Sequence, residues 1–359
     1  MSMISPFEGS PSNVTSLQSK RRNVPPSLPP FEMQQRQELI ARWRKRQIIW
    51  NQNENGGRIS PSAEDIERYR ARKKGHEGMG MYGSEDAAFA EYMVLELLDS
   101  TGVTGQKLSL FGESAHAYEP SDIDDVLSGA DAIVLYVDPE EELRGAPVIV
   151  DVTTDRAKLQ DKQFKDFGSL RRGMSGEPFS QVYWYDAKAE EPEMGFTEPS
   201  EGKVIGVNTS IYVPSEYTKR FLDPSVSGKA ARHDMNKLGS FIVTQQQLQL
   251  ESLAIAALRR VNSEDIKRGR LDMHGIRTRQ DLKRLLREAK AAESVDSGKF
   301  QVLQTFEIAL VNVWEVKDRR EEKGLVCDPR DFESLRQAVL ASGFEGLAAD
   351  EESLSAKSG

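Results

Sequence analysis

Residues 131–170 read DAIVLYVDPEEELRGAPVIVDVTTDRAKLQDKQFKDFGSL, and three segments within them decide the fold. Asp131 to Val137 is a nearly continuous apolar, β-branched run, the pattern of a buried strand. Val148 to Thr153 forms a second such run after the connection Asp138 to Pro147. Asp155 to Leu170 then reads as a helix, with Lys158, Lys162 and Lys165 at three- and four-residue spacing and an N-cap at Thr154 or Asp155. Two buried strands followed by a helix indicate an α/β domain with helices against a central mixed sheet.

Upstream of this stretch, Glu85 to Leu98 is an apolar-striped helix capped by Ser84 and stopped at Thr101-Gly102. A strand is expected at Lys107 to Phe111 and one helical turn at Ser121 to Leu127. Downstream, Phe179 to Tyr185 is expected as the fourth strand. An acidic loop, Glu190 to Gly202, and a further strand, Val204 to Val213, follow. Helical apolar spacing then dominates, in Asn236 to Arg260, Thr278 to Ala292, Phe300 to Arg320 and Pro329 to Ala341. The expected organisation is a disordered tail over 1–30, a basic helical arm with a glycine-rich linker over 31–83 and an α/β core over 84–215. A helical C-terminal region over 216–348 and a frayed tail over 349–359 complete it.

The formal charge is −9, but residues 20–74 carry +8 and residues 75–359 carry −16. An acidic body repels polyanions at long range, so nucleic-acid contact has to use a local basic element. In the helix expected over 31–52, Arg42, Arg44, Lys45 and Arg46 lie among Leu39, Trp43 and Trp50. Two readings stay open for this arm: Trp43 and Trp50 anchor it on the acidic body, or its cations hold DNA phosphates while the aromatics stack on bases. No apolar run approaches membrane-spanning length, and no amino-terminal signal pattern is present, so neither secretion nor membrane insertion is expected. Cys327 is the sole cysteine, which excludes an intramolecular disulfide and points to a reducing, cytoplasmic setting.

The order helix, strand, strand, strand, helix, strand across residues 84–186 resembles the common core of the restriction-endonuclease-like superfamily, written PD-(D/E)xK. In that family an Asp opening the second strand and an acid in the third bind a divalent metal. Here the matching residues are Asp131 and Asp151. The resemblance implies a Mg²⁺-dependent nuclease hydrolysing phosphodiester bonds of DNA, because two carboxylates with a backbone carbonyl and waters suit that hard cation. Family members commonly carry a lysine two positions after the second acid, where this chain has Thr153. A lysine from the following helix takes that place in some members, so Lys158 and Lys162 are the candidate replacements. Glu91 interrupts the apolar stripe of its helix and is a further candidate catalytic residue. The alternative is a catalytically inactive module of the same fold, whose C-terminal helices bind a protein partner.

Other patterns carry less. Gly78, Gly80 and Gly83 match G-x-G-x-x-G but follow a charged helix rather than a strand, and read as a linker. Asp122, Asp124 and Asp125 lack the glycine and distal glutamate of a calcium loop and read as a capped helical turn. His76, His116, His233 and His274 have no ligand spacing. FSQVYWYD, residues 179–186, reads as an aromatic core strand.

Overall fold

A computed structural model of the chain describes residues 37, 40–41, 62–79, 85–98, 110–111, 114–118, 120, 122–137, 146–183, 203–265, 276–292 and 295–341. The apolar runs at 131 and 148 form the centre of a four-stranded sheet. In chain order the elements up to the sheet's crossover are α1 (Ala63–Met79), α2 (Glu85–Leu98), β1 (Ala115–Tyr118), α3 (Asp122–Ser128), β2 (Ala132–Tyr136), β3 (Val148–Thr153) and α4 (Arg156–Met174). They continue with β4 (Gln181–Tyr183), β5 (Lys203–Ile205), β6 (Val207–Tyr212), α5 (Ser215–Leu222), α6 (Gly228–Asp265), α7 (Arg279–Lys290), α8 (Ser297–Glu322) and α9 (Pro329–Ala341). The main sheet runs β1-β2-β3-β6, with β1-β2 and β2-β3 antiparallel and β3-β6 parallel. A parallel neighbour requires a crossover, and α4 lies within it. The protein is therefore mixed α/β, with helices flanking a central mixed sheet and a helical C-terminal region.

Side-chain alternation divides the sheet's two faces. Ala132, Val134, Tyr136, Val148, Val150 and Val152 join a core cluster that runs without a break into α6, α7, α8 and α9. On the opposite face Ile133 and Ile149 pack with Ala130 and Val182 in a small separate cluster. Asp131 and Asp151 have the parity of these two isoleucines, so they belong to the face that carries the small cluster.

Two strand assignments made from sequence are corrected. Leu110 and Phe111, expected to end the first strand, form a bend: the Leu110 N–H donates to Leu97 O at 2.8 Å at the end of α2, and the Phe111 ring packs edge-on against Tyr136. These apolar residues close a helix end and plug the core, and the first described strand is β1. Gln181–Tyr183 is a strand, but it pairs with β5 in a separate two-stranded sheet, so the fourth core strand is β6. The run expected as one strand over 204–213 divides at Gly206. A Cβ there would stand 2.5 Å from Ile149 Cδ1, so only glycine allows the backbone to pass this close as it leaves one sheet for the other.

α6 starts earlier and ends later than the expected 236–260, and its buried centre contains Gln245, Gln246, Gln247 and Gln249. Two of these close the exposed edge of β6. Gln245 Oε1 accepts the Tyr212 N–H at 2.9 Å while its Nε2 donates to Tyr212 O at 2.8 Å. Gln249 does the same for Ser210, accepting its N–H at 3.0 Å and donating to its carbonyl. Four helical residues rise about 6 Å and two strand residues span about 6.6 Å, so an i, i+4 amide pair matches an i, i+2 strand edge. Polar groups that would otherwise be orphaned are thus satisfied without another strand. α8 is buried over most of its circumference, and its Thr305 and Asn312 donate to Ala146 O and Val137 O at the ends of β3 and β2.

The charged helix α1 reaches Met79 rather than ending near Lys74, so Gly78 lies within it. Ser62 and Asp65 cap its start, and Tyr183 Oη donates to Asp65 Oδ2 at 2.5 Å, tying α1 to β4. Of the basic arm, Ile40 packs against the main core, whereas Arg42, Arg44, Lys45 and Arg46 lie outside the described residues. No helix among the described residues is long and apolar enough to cross a membrane.

Candidate active site

The register sets three polar residues in a row across one end of the sheet. Ala132 pairs with Val150, so Asp131, one step earlier, stands opposite Asp151. On the other side Asp151 pairs with Ser210 of β6. Directly opposed residues have Cβ atoms about 5 Å apart, which brings the three side chains together.

Asp131 ends the ladder with its side chain: its N–H donates to Val150 O at 2.8 Å, and its Oδ2 accepts the Val152 N–H at 2.6 Å. The preceding Gly129 has φ +71°, a left-handed turn that glycine adopts without penalty. A Cβ there would stand 3.6 Å from Asp151 Oδ2, so the glycine leaves one side of that carboxylate clear.

α4 lies over the row. Thr153 Oγ1 accepts the Asp155 N–H at 3.1 Å, and Asp155 caps the helix by accepting the Ala157 N–H at 2.9 Å. Thr153 is therefore occupied in starting α4. The resulting helical phase sends Lys162 back to the sheet, where its Nζ donates to Asp151 Oδ1 and, at 3.0 Å, to Val152 O. Lys158, one turn earlier, is exposed. One turn later, Asp166 is buried and accepts a 2.5 Å hydrogen bond from Ser210 Oγ.

The electrostatics follow from this crowding. Burial raises Asp131 well above the usual carboxylate range, and the negative charges of Glu91, Asp151 and Asp125 add to the rise against the opposing Val152 N–H. Burial also raises Asp151, opposed by Lys162, by a hydrogen bond with Asp131 and by Lys165. A cation bound between the two carboxylates would offset the crowding of negative charge that raises Asp131. Asp166 is pushed up to about 7, chiefly by burial and further by the Asp151 charge, against the Ser210 hydrogen bond and the two lysines.

Of the expected site residues, Asp131, Asp151 and Lys162 are brought together, and Glu91 is close enough to act on Asp131 electrostatically. Among the described residues no group of three His, Cys, Asp or Glu side chains is placed to hold a metal ion, so Glu91 does not complete a three-acid set. Asp124, read from sequence as part of a capped turn, accepts the Tyr183 N–H at 2.8 Å and anchors β4. Cys327 is partly buried, which pushes its thiol up to about 11. Asp166, Ser210 and Gly129 escaped the sequence reading. The available signal was Asp166 four residues after Lys162 on one helix face, whereas Ser210 depends wholly on strand pairing. No protein-family model, curated protein or solved structure matches this chain.

Proposed function

We propose that the chain is a metal-dependent nuclease of the PD-(D/E)xK type, hydrolysing phosphodiester bonds of DNA in a cytoplasmic setting. The observation that carries this reading is Asp131 and Asp151 opposed on adjacent strands with Lys162 of the next helix on Asp151. Thr153 breaks the family's usual spacing, and Lys162 supplies the missing ammonium from α4.

The donor set fits a hard divalent cation. Asp131 Oδ1 and Asp151 Oδ2 accept no hydrogen bond from the Val152 N–H or Lys162, which use the other oxygens. Two carboxylate oxygens with water completing the shell suit Mg²⁺, and the bound ion would activate water and neutralise phosphate charge. Lys162 stands beside Asp151 to orient the attacking water and stabilise charge in the transition state. Asp166 and Ser210 hold α4 against β6 and so keep Lys162 in phase.

A non-catalytic module with a protein-binding role is the second reading. It is favoured by the use of Thr153 in a turn and by the absence of a three-acid set among the described residues.

The deciding assay is nicking of plasmid and single-stranded DNA with Mg²⁺ or Mn²⁺, beside a metal titration. Asp131→Asn and Asp151→Asn should each abolish cleavage while the protein still folds. Lys162→Ala should lower cleavage with metal binding largely kept. Wild-type protein that neither binds metal nor cleaves refutes the enzyme and leaves the binding module. Cleavage surviving both Asp changes places the active site elsewhere.

A further inference from the structure

The outward side of α4 combines two features that the proposed chemistry does not use. The first is cationic: Lys158 and Lys165 are exposed and form no ion pair among the described residues. With Lys162 they occupy i, i+4 and i+7 positions, and Arg172 continues the same side two turns later. At 1.5 Å per residue, Lys158 and Lys165 are about 10 Å apart along the axis, as are Lys165 and Arg172. Lys162, in the same row, donates to Asp151, so this row borders the carboxylates. Asp161 is the acid interspersed among them and pairs with none of the three.

The second feature is Phe164, which is 65% exposed. Gly168 and Arg172 follow it at i+4 and i+8, and the Arg172 guanidinium comes within 3.5 Å of where a Gly168 Cβ would stand. Arg172 has only a loose 3.8 Å pairing with Glu177. An exposed aromatic ring, a glycine and the Arg172 guanidinium thus lie in one row beside the exposed ammonium groups of Lys158 and Lys165. A solvated helix face accounts for the lysines but not for the phenyl ring. Aromatics beside cations are what single-stranded nucleic acid uses, because bases stack on the ring while phosphates take the charge.

We infer that the outer face of α4 is the track for a single DNA strand, with Lys158, Lys165 and Arg172 on its phosphates and Phe164 beneath an unpaired base. The track rests on the nuclease reading for its direction, since it delivers a phosphate to Asp131 and Asp151. A duplex keeps its bases stacked internally, so Phe164 discriminates in favour of single strands.

The test is anisotropy of the full chain with fluorescent oligo-dT and with a duplex, in EDTA, at several salt concentrations. Lys158→Glu/Lys165→Glu should weaken binding and reduce the slope of log K against log salt by at least about 1.4, two phosphate contacts at ~0.7 each. Phe164→Ala should weaken oligo-dT binding roughly tenfold or more while leaving duplex binding unchanged, with Phe164→Trp restoring it. All these side chains are exposed, so circular dichroism should be unaltered. Wild-type protein that does not bind oligo-dT overturns the track and leaves Phe164 to a protein partner. Binding that survives these changes also overturns it. Sensitive binding without cleavage in Mg²⁺ or Mn²⁺ keeps the track and removes the nuclease, whereas cleavage with insensitive binding does the reverse.

Discussion

Asp166 offers a measurement of the site that needs no substrate. Its carboxyl is buried between α4 and β6 and titrates near 7, against an ordinary value of 3.8. Below the ordinary value the folded and unfolded chains are both protonated, and the group's contribution to stability is at its maximum. As pH rises from about 4 to about 7 the unfolded chain releases the proton first, so stability falls by about 1.4 kcal/mol per pH unit. The total is on the order of 4 kcal/mol, and above the folded value the contribution is flat. Asp166→Asn keeps the shape and can still accept from Ser210 Oγ, but it does not titrate. Urea unfolding of both proteins from pH 4 to pH 8 should therefore give a stability difference that moves in favour of Asn by that order and levels off above 7. The other groups titrate in both proteins, so the difference reports on this carboxyl. A difference that stays constant across the range, or moves the opposite way, would refute the burial argument and the placement of α4 on β6.

Two further stability effects follow from side chains away from the carboxylates. Gln249→Ala strips partners from both backbone groups of fully buried Ser210, so it should cost roughly 2–6 kcal/mol, at about 1–3 per orphaned group. Gln245→Ala should cost less because Tyr212 is only partly buried, and equal costs in urea melts would contradict the edge-closing role. For Glu307, burial opposes the charge, but hydrogen bonds from Lys290 and Arg287 outweigh it, so its folded value is lowered. Its stabilisation is present above the ordinary value of 4.5 and lost as pH falls through the lower folded value. Glu307→Gln should thus cost about 1 kcal/mol at neutral pH, since Arg287 is more than half exposed, and nothing in strong acid. Thermal melts at pH 7 and at successively lower pH distinguish these cases, and a difference that does not shrink as the pH falls into strong acid would exclude the ionic explanation.

Asp131, Asp151 and the strands that carry them were legible because a buried strand leaves a local mark: apolar, β-branched residues bounded by turn chemistry. The helix after β3 was legible for the same reason, through its cap and its spacing. The fourth core strand was not. Gln181–Tyr183 and Val207–Tyr212 look alike as segments, and which one joins β3 depends on pairing between distant residues and on Ile149 admitting only glycine at 206. The choice of Lys162 over Lys158 likewise waited on the rotational phase of α4, set by the Thr153–Asp155 turn against the sheet. Gln245 and Gln249 of α6 read as polar residues in a helix, and the bare edge of β6 explains their burial. Residue chemistry and local periodicity are properties of the chain itself. Register, strand partnership and the convergence of Asp131, Asp151, Lys162, Asp166 and Ser210 arise from contacts between distant segments, which exist only once the chain has folded.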